Sequence, residues 1–105
     1  MRYGLGEEVI LKLQTVFSKH PEVKKVILYG SRAKGNFKNG SDIDLTLFGE
    51  EGSRSALTPQ ILYKIEDEID DLYLPYMVDL SLFKQIDKPE LIDHIQRVGL
   101  SFYIQ

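Results

Sequence analysis

Between Leu28 and Phe48 the chain reads LYGSRAKGNFKNGSDIDLTLF, two strand-like runs held apart by a glycine-rich turn. The first run, Val26-Ile27-Leu28-Tyr29, is short, apolar and rich in β-prone residues, and it stops at Gly30, which predicts a buried strand with a tight exit. Asn36, Asn39 and Gly40 are turn residues. After Ser41 the order Asp42-Ile43-Asp44-Leu45-Thr46-Leu47 alternates polar and apolar, the period of a half-buried strand.

Working outward, Val9, Ile10, Leu13, Val16 and Phe17 recur at steps of three and four, which predicts an amphipathic helix from Leu5 to Phe17 ended by His20-Pro21. Gly49 to Ser55 reads as a surface loop. Thr58 followed by Pro59 has the form of an N-cap and a first-turn proline, opening a helix that buries Ile61, Leu62, Ile65, Ile69 and Leu72 until Pro75. A third strand is expected from Met77 to Phe83. Asp87 and Glu90 have capping-box spacing ahead of a last helix with Gly99 as its C-cap, and Phe102-Tyr103-Ile104 should form a final packed segment. The expected fold class is therefore α+β: a small mixed sheet of three or four strands, with helices mainly on one face and the polar face of the strands open.

Composition narrows the chemistry. A chain of 105 residues is the size of one domain, so a single domain over 1–105 is expected, with no separate substrate domain. Hydrophobic residues at 43% and charged residues at 28% exclude disordered and fibrous classes. There is no cysteine and only His20 and His94, so thiolate sites, iron-sulfur clusters and an all-imidazole metal site drop out. Any metal would be held by carboxylates, which select hard ions such as Mg²⁺ or Mn²⁺. No long apolar run is present, and a cytoplasmic location without membrane contact is expected. The formal charge of -3 speaks against direct nucleic-acid binding, yet it conceals a local patch: five basic residues and no acid between Lys24 and Lys38.

Asp42, Asp44 and Asp79 are the residues that suggest chemistry. In a strand, residues two apart face the same way about 6.5 Å from one another, so Asp42 and Asp44 flank one point, and Asp79 joins them if its strand is a neighbour. Three carboxylates in a partly dry site repel unless a cation neutralises them, and two Mg²⁺ ions about 3.5 to 4 Å apart are the usual solution in nucleotidyl transfer. Upstream, Gly30 and Ser31 can approach a phosphate closely, with Arg32, Lys34 and Ser41 as further candidate contacts. Taken one at a time, each aspartate reads as a solvent-facing residue and each glycine as an ordinary turn residue. A P-loop is excluded because Asn36-Phe37 stands where Lys and Ser or Thr are required. The acidic run Lys64 to Asp71 reads as a solvated helix face or a dock for a basic partner. His20 reads as a helix-end residue and His94 as an ordinary helix residue.

Gly30-Ser31, ten residues, Asp42-x-Asp44 and the later VDLSLF from Val78 to Phe83 together resemble the minimal nucleotidyltransferases of the DNA polymerase β-like nucleotidyltransferase superfamily. The resemblance implies a palm-like nucleotidyltransferase fold. It implies that Gly30 and Ser31 hold a nucleoside triphosphate and that Asp42, Asp44 and Asp79 are metal ligands and catalytic residues. Arg32 and Lys34 match basic positions that follow the Gly-Ser pair. Tyr29 stands where many relatives carry Phe, a packing change.

The function it implies is metal-dependent transfer of a nucleotide monophosphate, AMP from ATP, to a partner protein. That partner would be an all-helical HEPN protein, a toxin that this chain silences as antitoxin. Two other readings share the fold: a stoichiometric inhibitor without chemistry, and the catalytic subunit of a small-molecule nucleotidyltransferase. A homodimer or a mixed assembly is expected, because the open sheet face and the acidic helix need covering.

Overall fold

The computed structural model describes residues 1–50 and 56–105, so most of the loop expected over Gly49 to Ser55 lies outside the described residues. In chain order the elements are α1 (Glu7–Ser18), β1 (Lys25–Tyr29), the single turn α2 (Ser31–Lys34), β2 (Ile43–Phe48), α3 (Pro59–Asp70), β3 (Val78–Leu82), a 3₁₀ turn at Phe83–Gln85, α4 (Pro89–Val98) and β4 (Leu100–Ile104). The four strands form one mixed sheet in the order β3-β2-β1-β4, in which β1 runs antiparallel to β2 and β4 while β2 and β3 are parallel. Parallel neighbours need a long return path, and α3 supplies it.

Alternation along the strands divides the sheet into two faces. Val26, Leu28, Ile43, Leu45, Leu47 and Leu82 are buried against Ile10, Leu13, Phe17, Leu62, Ile65 and Ile69 of α1 and α3, and this layer is the core. The other face carries Ile27, Tyr29, Asp44, Thr46, Asp79 and Ser81. There α4 packs over β1: Gly99 sits so close to Ile27 and to the Ile95 carbonyl that a Cβ would overlap both. Helices thus lie mainly on one face, as expected; on the second face Thr46 is buried, Asp44 half-buried and Asp79 exposed, so the opening lies at the end of β2 and β3 that carries the aspartates.

Local signals explain most element ends. Thr58 Oγ1 accepts the Ile61 N–H at 3.3 Å with Pro59 in the first turn, the capping read from sequence. The first helix begins at Glu7 rather than Leu5, because Gly6 is the extended N-cap and Leu5 instead pairs with Arg2 in an isolated bridge. The capping box at Asp87 and Glu90 does not form. Pro89 occupies the first helical turn, which makes Lys88 the N-cap and brings Glu90 one position too early for the reciprocal bond. Gly99 does follow α4, but with extended dihedrals (φ -61, ψ 143), so close packing rather than a left-handed turn calls for glycine. The packed tail is the fourth strand, annealed to β1 with a register shift between Val26 and Ile27. Among the described residues, no helix is long and apolar enough to cross a membrane.

Candidate active site at the Gly30 end of the sheet

The sheet order brings the end of β1 and the starts of β2 and β3 to one rim. Tyr29 stands opposite Asp44 in the β1–β2 register, and Asp44 stands opposite Asp79 in the β2–β3 register. The Ile43 N–H donates to the Met77 carbonyl at 2.9 Å, extending the strand pairing to the very start of the site. Asp42 and Asp79 are exposed and Asp44 is half-buried.

Gly30 is where the two halves of the motif meet. Its dihedrals, φ 78 and ψ -156, lie in a region open almost only to glycine, and a Cβ there would overlap the Asp44 carboxylate. The backbone therefore runs against the carboxylate, and the Gly-Ser turn can be no farther from the aspartates than this contact allows. Ser31 opens α2, and its carbonyl accepts the N–H groups of Gly35 and Asn36, while Gly35 at φ 86 ends the turn in the left-handed region.

The basic residues separate into two kinds. Arg32 is 3% exposed, and its guanidinium donates to the Ser41 carbonyl through Nε (3.1 Å) and Nη2 (2.7 Å) and to the Tyr3 carbonyl through Nη1 (2.9 Å). It also lies over the rings of Phe37 and Tyr76, at 5.2 and 5.0 Å from their centroids. This geometry gives Arg32 a bracing role, tying the turn to the N-terminal segment, in place of the phosphate contact expected of it. Lys34 is exposed on the turn. Ser41 likewise works within the loop: its hydroxyl accepts the Lys38 N–H at 2.9 Å and its carbonyl holds Arg32.

Electrostatics at the rim follow from the register. Burial pushes the Asp44 carboxyl above its ordinary value; repulsion from Asp79 and then Asp42 adds to the rise, and His94 opposes it. Burial also raises the Tyr29 phenol; a hydrogen bond with the Ser81 side chain works against the rise, and Asp44 and Asp79 add to it. Two residues beyond Asp79, the Ser81 hydroxyl is buried beside that phenol. The donor set, oxygen ligands from adjacent strands with mutual repulsion at Asp44, fits a hard divalent cation. As the side chains stand, however, no three His, Cys, Asp or Glu among the described residues are grouped to hold a metal ion. Asp42 and Asp79 would have to turn inward to join Asp44.

The family described as "Polymerase beta, Nucleotidyltransferase" matches residues 11–105, a span that contains every part of this rim. The chain belongs to that nucleotidyltransferase family. The resemblance carried by the Gly-Ser and Asp-x-Asp motifs is thereby borne out, as is the fold class. No curated protein sequence matches the chain. Among solved structures, the fold is similar to a toxin-antitoxin with AMP-PNP (20% identity, TM-score 0.67, covering 96% of this chain and 75% of that one). It is also similar to the toxin-antitoxin MntA-HepT (14% identity, TM-score 0.66, 95% and 74%). A third likeness is to a Sulfolobus solfataricus protein described as a "putative nucleotidyltransferase" (21% identity, TM-score 0.54, 97% and 92%).

Sequence reasoning about this nucleotidyltransferase missed one residue of the rim. His94, read as an ordinary helix residue, accepts the Gly30 N–H on Nε2 at 3.0 Å and lies edge-on to the Tyr29 ring, with centroids 6.2 Å apart. The only local hint is its helical spacing from Leu91, beside the buried Ile95, which turns it toward the sheet. His20 proves to pair with Glu68 of α3 at 2.5 Å, so one acid of the run taken for a solvated face joins α3 to the end of α1.

Proposed function

We propose that this chain transfers a nucleoside monophosphate, AMP from ATP, to a hydroxyl of a partner protein, and that it acts as the antitoxin of a HEPN-type helical toxin. The observation that carries the reading is the Gly30 backbone packed against the Asp44 carboxylate, with Asp79 in register beside it. Phosphate-approach and carboxylate chemistry then share one rim of a nucleotidyltransferase fold. Likeness to the toxin-antitoxin structures named above, one of them with AMP-PNP, supports the partner class and the nucleotide.

In this reading Gly30 and Ser31 bond the triphosphate through backbone N–H groups and the serine hydroxyl, and exposed Lys34 adds positive charge. Asp42, Asp44 and Asp79 would hold the metal, Mg²⁺ or Mn²⁺ in a two-ion arrangement. When bound, the metal supplies charge neutralisation between carboxylates and phosphates and alignment of the α-phosphorus. An acceptor oxygen attacks that phosphorus in line, its O–P bond forms as the bond to pyrophosphate breaks, and the hydroxyl proton leaves to water or a carboxylate. Asp79 is exposed on the edge strand β3, which leaves room for an acceptor beside it.

Mixing the purified chain and partner with Mg²⁺ and ATP and weighing the partner by mass spectrometry tests this. A mass gain of one or more AMP units, lost with Asp42→Asn plus Asp44→Asn, is expected. Neutralisation of the toxin by that double variant without a mass gain would instead establish the second reading, a stoichiometric inhibitor.

A further inference from the structure

We propose that His94 is a competitor built into the nucleotide site: its imidazole holds the Gly30 N–H that a phosphate oxygen would take and must release it before a triphosphate can seat. The inference rests on the reading of Gly30-Ser31 as the triphosphate turn.

Three observations carry it. First, a backbone N–H is one donor, and here it points at His94 Nε2 across 3.0 Å. Second, an imidazole nitrogen that accepts a hydrogen bond carries no proton, so the proton of neutral His94 is on Nδ1. In this contact His94 Nε2 meets the turn as an acceptor, the same role that a phosphate oxygen would take. Third, the contact spans the whole catalytic half of the chain: Gly30 and His94 are 64 residues apart, and α4 lies on the sheet face that also bears Asp44 and Asp79. The side chain is half-buried and laid edge-on to Tyr29, interplanar angle 80°, so the ring has a defined position to leave and to return to.

The consequence is a toll on nucleotide binding equal to one neutral hydrogen bond. Removing the imidazole should tighten ATP binding roughly three- to tenfold, the range set by the net worth of such a bond.

Isothermal titration of ATP with Mg²⁺ into the wild type, His94→Ala and His94→Gln tests this, with each variant's fold confirmed by its melting curve. His94→Ala should bind more tightly, and His94→Gln, whose amide oxygen can still accept the N–H, should stay closer to wild type. A second readout is independent of affinity: the ¹⁵N coupling across the Gly30 N–H···Nε2 bond should be measurable before ATP is added and vanish once ATP is bound. Weaker or unchanged binding by His94→Ala, or a coupling that persists in the ATP complex, would overturn the inference and leave the triphosphate reading standing. Failure of ATP to bind the wild type would remove both.

Discussion

Gly30→Ala should destabilise the protein through two separable effects. The backbone at φ 78 and ψ -156 is in the region that residues with a Cβ avoid, and holding alanine there costs on the order of 1–3 kcal/mol. The new methyl would also overlap the Asp44 carboxylate, which must rotate away or push β1 and β2 apart. Gly35 is the internal control: it too has positive φ, at 86, but a Cβ there meets nothing within 4 Å, so Gly35→Ala carries the conformational cost alone, about 1–2 kcal/mol. For a domain of this size each kcal/mol lowers the melting temperature by about 4–8 °C. Gly30→Ala should therefore melt at least several degrees below Gly35→Ala in thermal unfolding followed by circular dichroism. Adding Asp44→Ala to Gly30→Ala should recover the overlap term, giving a double-mutant cycle with a coupling above about 0.5 kcal/mol. Equal melting of the two glycine variants, together with an additive cycle, would refute the idea that the turn is packed on the carboxylate.

Two further outcomes are expected. The Asp44 carboxyl is raised in the folded protein, chiefly by burial, so between its ordinary value of about 3.9 and the folded value the native state holds the extra proton. Stability is then lost as pH rises through that window, and Asp44→Asn should be more stable than wild type at neutral pH with the advantage vanishing in acid; a difference independent of pH, measured by urea unfolding, would contradict this. Arg32→Met should cost about 3 kcal/mol or more, since hydrogen bonds to a buried charged group are worth about 1.5–3 kcal/mol each and two carbonyls lose their donor. Arg32→Lys should recover little, because an ammonium cannot span both carbonyls as the planar fork does, and amide exchange from Lys38 to Ile43 should accelerate in both variants.

The elements that sequence patterns reveal are those whose cause is local. Thr58-Pro59 caps α3 because the cap is a contact between residues three apart, and the stripe of Ile10, Leu13, Val16 and Phe17 marks α1 because one face of a helix must bury its apolar side chains. Where two local signals compete, pattern alone misleads: Asp87 and Glu90 have the spacing of a capping box, and the intervening Pro89 moves the helix start. The strand at Leu100–Ile104 reads from sequence only as a packed tail, since its status depends on a free edge of β1 lying beside it. Arg32 reads as a phosphate contact because charge is visible in a sequence and burial is not.

The Gly-Ser turn, the aspartates and the family they signify are determined by the sequence alone, because residue type and short spacing specify which backbone can bend tightly and which strand face is polar. Only the tertiary structure decides that Asp44 and Asp79 are neighbours, that Gly30 rests on Asp44, and that His94 holds the Gly30 N–H. Those contacts join residues 14 to 64 positions apart, and their existence depends on strand order and helix placement, which the burial of the whole core selects and no local pattern encodes.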